Sequence, residues 1–199
     1  MSREAVEGLA GTFVFGYGSL LRGDDAVAQY RVECSLQDHV RLWNVAMDNR
    51  LDLPGYKYYL DRATGERPPV FVTFLNVEPR AGSAVNGLAI RVADAELELY
   101  DERERNYERR EVTSLMSEAF SGRVWTYIGR PDAVERYELG VREGSATVSR
   151  DYLENVLTGF ASFSAGALER FHASTVPPAV PQAALEVVRL EGSRAQASG

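Results

Sequence analysis

Residues 13–25, FVFGYGSLLRGDD, run as an apolar strand straight into a turn that carries Gly16, Gly18 and Ser19. Two glycines beside a small hydroxyl residue let backbone amides approach something closely, so this junction sets what the chain can build around it. Phosphate is the first ligand to test. The pattern G-x-G-x-x-G counted from Gly16 puts Leu21 where the third glycine belongs. The pattern G-x-x-x-x-G counted from Gly18 reaches Gly23, but Asp24 and Asp25 follow where Lys and Ser or Thr are required. Carboxylates there repel a triphosphate. A nucleophile elbow needs glycines two residues either side of Ser19, where Tyr17 and Leu21 stand.

The remaining segments read as a mixture of strands and helices. Strands are expected at 13–15, 40–47, 70–77 (VFVTFLNV), 87–92 (GLAIRV) and 123–129 (RVWTYIG), with a further strand in RREVTSL and a Tyr-rich one after the Pro-Gly loop of DLPGYKYYLD. Asn86-Gly87 reads either as a hairpin turn or as a close approach of backbone at the glycine. Asp94 is an N-cap candidate for a helix over AELELYDERERNY, and a serine cap opens an amphipathic helix over SRDYLENVLTGFASF. Strands and helices do not alternate regularly. The expectation is therefore an α+β fold, a small mixed β-barrel with flanking helices, rather than a doubly wound parallel sheet. At 199 residues one domain suffices: a flexible lead-in at 1–11, the domain at 12–175, and a Pro-containing, partly disordered tail at 176–199.

Charge and cysteine usage narrow the partners. The net charge is −7, from 22 basic and 29 acidic residues, with no basic block standing apart, so neither nucleic acid nor a membrane surface is the expected partner. A small-molecule ligand is expected instead; the oligomeric state is open. Cys34 is the single cysteine, which excludes a disulfide within the chain and favours a cytoplasmic setting. The first residues carry charges where a signal peptide has its apolar run, and no apolar stretch reaches membrane-spanning length. His39 and His172 stand far apart and outside any ligand-spaced cluster, so they read as structural or surface residues and no metal is expected.

The sharpest anomaly is an acid on an apolar stripe. At about 100° per residue, Ala93, Leu97, Tyr100 and Glu104 share one helix face, with Tyr107 beside them if the helix runs that far, while Leu99 falls opposite. One reading pairs Glu104 with an arginine, since Arg103, Arg105, Arg109 and Arg110 are close in sequence. The other presses its carboxyl into a partly apolar cavity, where a raised pKa lets it take and return a proton near neutrality.

Together, FVFGYGSLL and LYDERERNYERREV resemble the γ-glutamylcyclotransferase superfamily, which includes ChaC-like and AIG2-like proteins. The positions that carry the resemblance are Tyr17, Gly18, Ser19 and Leu20, then Asp101, Glu104, Tyr107 and Arg109, within a similarity covering roughly residues 12–160. The resemblance implies a single cavity with the Tyr-Gly-Ser-Leu turn holding a γ-glutamyl group and Glu104 as the catalytic acid and base. The implied reaction closes 5-oxoproline from a γ-glutamyl compound and releases the attached amine or amino acid, as in glutathione metabolism; no cofactor is implied. The alternative is a small-ligand-binding or interaction module of the same fold without turnover. Around the site, the hydroxyls of Tyr107, Tyr127 and Tyr152 are candidates to meet substrate or to pack in the core, as is the ring of Tyr17. Arg22 and Arg50 are either carboxylate-binding or surface residues. Ser19 is not expected to be a nucleophile, because ring closure needs none.

Overall fold

The computed structural model describes residues 9–21 and 30–190. Its centre is one strand, β4 (Phe71–Val92), whose two ends are the segments VFVTFLNV and GLAIRV. β-Branched and aromatic side chains suit a pleated, enclosed surface, and every residue from Phe71 to Val77 and from Val85 to Ile90 is buried. The two expected strands are thus one, and Asn86-Gly87 is no hairpin. β2 (Arg31–Asp48) pairs antiparallel with β4 from Arg31↔Ile90 to Asp48↔Phe71, straight through Ser35↔Asn86 and Cys34↔Gly87. The strand expected at 40–47 is the second half of β2. Irregularities at Gln37/His39 and Trp43/Val45 bend this ribbon. At the first, Asp38 adopts a φ of 55° and its carboxylate accepts the Gly82 N–H at 2.8 Å.

The opposite edge of β4 is divided. β1 (Thr12–Gly16) pairs antiparallel with its C-terminal end, Gly16↔Leu88, and β7 (Ala146–Ser149) pairs parallel with its N-terminal end, Val148↔Thr73. The C-terminal ends of β1 and β7 therefore converge on the stretch of β4 that neither covers. Outward from β1 lie β6 (Arg123–Gly129, parallel to β1) and β5 (Tyr107–Glu111, antiparallel to β6); outward from β7 lies β8 (Gln182–Ala183). β3 (Lys57–Asp61) and β9 (Leu185–Arg189) form a separate antiparallel pair. The α+β class is as expected, but the large sheet is open and branched: among the described residues it ends at β5 and β8, and β2 branches from β4.

Among the described residues four helices flank the sheets: α1 (Leu97–Arg103), α2 (Pro131–Arg142), α3 (Arg150–Phe163) and α4 (Ala167–Ala173). Ser149 caps α3 as its sequence suggests, accepting the Tyr152 N–H at 3.4 Å. Asp94 is not a cap. It lies within a single 3-10 turn whose cap residue is Ala93, with the Ala93 N–H donating to Glu96 at 2.7 Å, and it accepts the Thr12 hydroxyl instead. Only 107–111 of the RREVTSL region is strand; Thr113–Leu115 is a 3-10 turn.

Both expected ends of the domain move outward. Leu9 is buried, and its carbonyl accepts the Ser121 N–H at 3.2 Å; residues 1–8 lie outside the described residues. The segment expected as a tail supplies β8 and β9, with Leu185 only 1% exposed, so the folded unit extends past 175; residues 191–199 are likewise outside. Proline cannot donate within a ladder, and Pro177, Pro178 and Pro181 all fall ahead of the two strands.

Arg41 lies wholly inside this framework. Its guanidinium sits over the rings of Phe160 and Phe171, at 4.8 and 4.5 Å, and donates to Ser174 and Thr175 at 3.1 and 2.9 Å and to the Asn86 carbonyl. These contacts place a cation at the C-terminal end of α4, where helix carbonyls favour it.

Gly87 has no room for a side chain. A Cβ there would stand 2.3 Å from the Gly16 carbonyl oxygen and 2.7 Å from the Phe15 ring. Gly87→Ala must therefore push β1 away from β4, and the expected loss is about 3 kcal/mol of stability, read as a lower denaturation midpoint. An unchanged midpoint contradicts this packing.

Candidate active site

Where β4 lacks a neighbouring strand, side chains satisfy its backbone. The Tyr107 hydroxyl donates to the Leu75 carbonyl at 2.7 Å, and the Tyr152 oxygen accepts from the Leu75 N–H and from the Ser19 side chain. A buried peptide edge left unpaired is costly, so these phenols are fixed by the strand they complete. The turn after β1 presses on the same place. A Cβ on Gly18 would meet Leu75 at 3.3 Å and the Tyr152 hydroxyl at 3.4 Å.

Glu104 approaches from the end of α1. It is the residue on which the helix stops, with φ −92° and ψ 47°, its N–H bonded to the Tyr100 carbonyl at 2.9 Å and its own carbonyl accepting the Tyr107 N–H at 2.8 Å. Tyr107 therefore opens β5 rather than extending the helix. The stripe argument still put the acid on the inward side: Leu97 is buried, Leu99 is exposed, and the Glu104 side chain is 15% exposed. Glu104 pairs with Arg103 at 3.3 Å and also lines a cavity, so the arginine pairing and the enclosed position occur together. Burial pushes its pKa up, and Arg103 and Lys57 pull part of the way back.

The cavity measures about 530 Å³, and Ser19, Glu104 and Tyr107 line it together with Lys57, Tyr59 and Tyr152. The two halves of the family pattern, eighty-five residues apart from Ser19 to Glu104, thus share one space. Other expected site residues stand behind it. Tyr17 is buried in the core and its hydroxyl donates to the Tyr127 carbonyl at 2.6 Å; Leu20 packs against the cluster of Val14, Val92 and Leu97. Tyr127 donates to Asp101 at 2.8 Å, and Asp101 pairs with Arg109 at 3.4 Å, which fastens α1 to the β5–β6 hairpin. Arg50 bonds Asp48 at 2.8 Å and lies over the Phe71 ring, away from the cavity. Arg22, Asp24 and Asp25 lie outside the described residues. His39 is buried against the Gln37 carbonyl and His172 is exposed beside Phe171. Among the described residues no group of His, Cys, Asp and Glu is arranged to hold a metal ion.

Sequence reading missed Lys57, although the signal was present. Strand side chains alternate, so Lys57 must share a face with Tyr59, and Tyr59 is buried. The ammonium stands 4.6 Å from the Phe74 ring centre, and burial pushes its pKa down to about 8, opposed by Glu104. A second depression, over Glu111–Phe120, is more open, and its carboxylates Glu111 and Glu118 are exposed.

This mixed sheet, with a buried carboxyl facing a glycine turn across one cavity, defines a class before any chain is compared with it. Residues 14–145, more than half of the chain, match the family model for gamma-glutamyl cyclotransferase, AIG2-like, and the protein belongs to that family. A solved gamma-glutamyl cyclotransferase shares the fold at 14% identity and a TM-score of 0.50, over 84% of this chain and 88% of the other. An uncharacterized Homo sapiens protein does so at 15% identity and a TM-score of 0.50, over 83% and 88%. No curated protein matches the sequence significantly. No helix among the described residues is long and apolar enough to cross a membrane.

A carboxyl whose folded pKa is raised binds protons more readily folded than unfolded, so its ionisation opposes folding as pH rises through that interval. Glu104→Gln is therefore expected to raise the melting temperature at neutral pH, with the gain shrinking below the ordinary glutamate value of 4.5. A variant melting at or below the wild-type temperature at pH 7 contradicts the burial.

Proposed function

We infer that this protein cyclises the γ-glutamyl group of a small γ-glutamyl compound to 5-oxoproline. The observation that carries the reading is the single cavity in which the Glu104 carboxyl, enclosed and facing Lys57, shares the lining with Ser19 of the glycine turn. Nucleophile and electrophile belong to one molecule, so the work left to the protein is to fold the arm, move protons and exclude water.

In the proposed reaction, the Glu104 carboxylate takes a proton from the substrate's α-ammonium group. The freed nitrogen attacks the γ-carbonyl carbon, a C–N bond forms, and the carbonyl electron pair moves to oxygen. Backbone amides of the Tyr17–Leu20 turn receive that oxyanion without a charged side chain. The oxyanion collapses and the bond to the leaving nitrogen breaks as Glu104 gives its proton to that nitrogen; Glu104 then takes the second proton from the ring nitrogen and passes it to the released amine, which departs as its ammonium form. One acid serves each transfer because it hands on to the leaving nitrogen every proton it takes from the attacking one. Burial raises its pKa above the ordinary carboxylate value, which makes it a stronger base.

Tyr152 is suited to orient the arm. Its hydroxyl lies beside Leu75 and Ser19 where Tyr152 lines the cavity. Tyr107 spends its proton on the Leu75 carbonyl, so toward a ligand it acts as an acceptor.

The test is release of 5-oxoproline from a panel of γ-glutamyl dipeptides, γ-glutamylamines and glutathione. Wild-type protein is expected to release it from at least one, and Glu104→Gln to lose about 100-fold or more in kcat while still binding that substrate. A Glu104→Gln variant that turns over at the wild-type rate removes Glu104 from the reaction. Free glutamate in place of 5-oxoproline would identify a hydrolase instead.

A further inference from the structure

The small sheet presents two cations to the cavity that the ring closure does not require. Lys57 and Arg189 are register partners across β3 and β9, and both line the cavity that holds Glu104. Directly opposed residues of an antiparallel pair project to the same side, and like charges so placed destabilise the pair. Glu104 and the Phe74 ring act on Lys57, but among the described residues neither cation forms an ion pair within 4.0 Å. Three acids line the same cavity: Glu104 pairs with Arg103, Asp151 with Arg62, and Glu102 is exposed. Tyr59 and Val187, the next pair on the same face, also line the cavity.

Position says which part of a substrate would meet them. Glu104 lines the cavity together with Ser19 of the glycine turn and with Lys57 and Arg189 of the small sheet, and its charge acts on Tyr152 as well as on Lys57. With the γ-glutamyl arm toward the turn, the leaving portion extends toward β3–β9. Arg189 is exposed at that mouth, while Lys57 is deeper against the Phe74 ring.

We propose that Lys57 and Arg189 bind a carboxylate on the leaving portion of the substrate, so that the protein favours γ-glutamyl amino acids over γ-glutamyl amines. The proposal rests on the ring-closure reading above. A carboxylate placed between the two cations replaces their repulsion with two charge-assisted contacts, one from a planar guanidinium and one from a compact ammonium. Arg189 lies beyond the matched stretch 14–145, in the C-terminal segment that β9 ties to the site.

The experiment compares kcat/KM of the full chain on γ-glutamylalanine and on γ-glutamylethylamine, which differ only by the carboxylate. The wild-type ratio is expected to be about 10 or more, and Lys57→Gln and Arg189→Gln each to lower it by about tenfold, the scale of a charged hydrogen bond. A wild-type ratio near 1, or a ratio that neither variant changes, overturns the proposal while ring closure stands. The wild-type ratio serves even where a variant does not fold. If wild-type protein releases 5-oxoproline from neither compound nor any other on the panel, the ring-closure reading fails and this proposal falls with it.

Discussion

The uncovered edge of β4 at Leu75 is the constraint on which the site depends. β2 pairs along the whole of β4 on one side, while β1 and β7 take only the ends of the other. That division leaves a short length of buried peptide to be satisfied by side chains, and the phenols of Tyr107 and Tyr152 do so. Each comes from a different element, β5 and α3. The same gap receives the turn after β1, which approaches closely because Gly87 admits the Gly16 carbonyl and Gly18 fits against Leu75. Sheet topology thus makes the cavity before any catalytic group enters it.

Electrostatics then gives the cavity its chemistry. Glu104 is enclosed enough for its pKa to rise, and the cations that moderate the rise, Arg103 and Lys57, come from its own chain neighbour and from the small sheet. A carboxyl so placed is a burden on stability, and in the proposed reaction it is the proton carrier, the usual opposition between fold and function. The outer network of Tyr127, Asp101 and Arg109 holds α1 in place, which fixes where Glu104 emerges.

Local patterns carried much of this into the sequence. The strand-turn at 13–21, the serine-capped helix α3 and the helical stripe that turns Glu104 inward all follow from spacing and residue type, and they hold in the structure. What failed was non-local. Asn86-Gly87 has the composition of a hairpin turn, yet β2 runs past it, and the glycine answers to the Gly16 carbonyl instead. β9 follows three prolines and is recognisable only once β3 is beside it. Helix α2 begins with Pro131 at its first turn, a start signal that was legible and passed over. Tyr127 was proposed for its hydroxyl, but that hydroxyl is directed at Asp101, a partner twenty-six residues away that no periodicity links to it.

The central claim is that an enclosed Glu104 carboxylate carries the proton during ring closure. The pH dependence of kcat/KM for 5-oxoproline formation tests it most directly. Activity is expected to fall on the acid side with an apparent pKa above the ordinary glutamate value of 4.5, because protonation removes the base. A rate that stays level down to pH 4.5 would contradict the account.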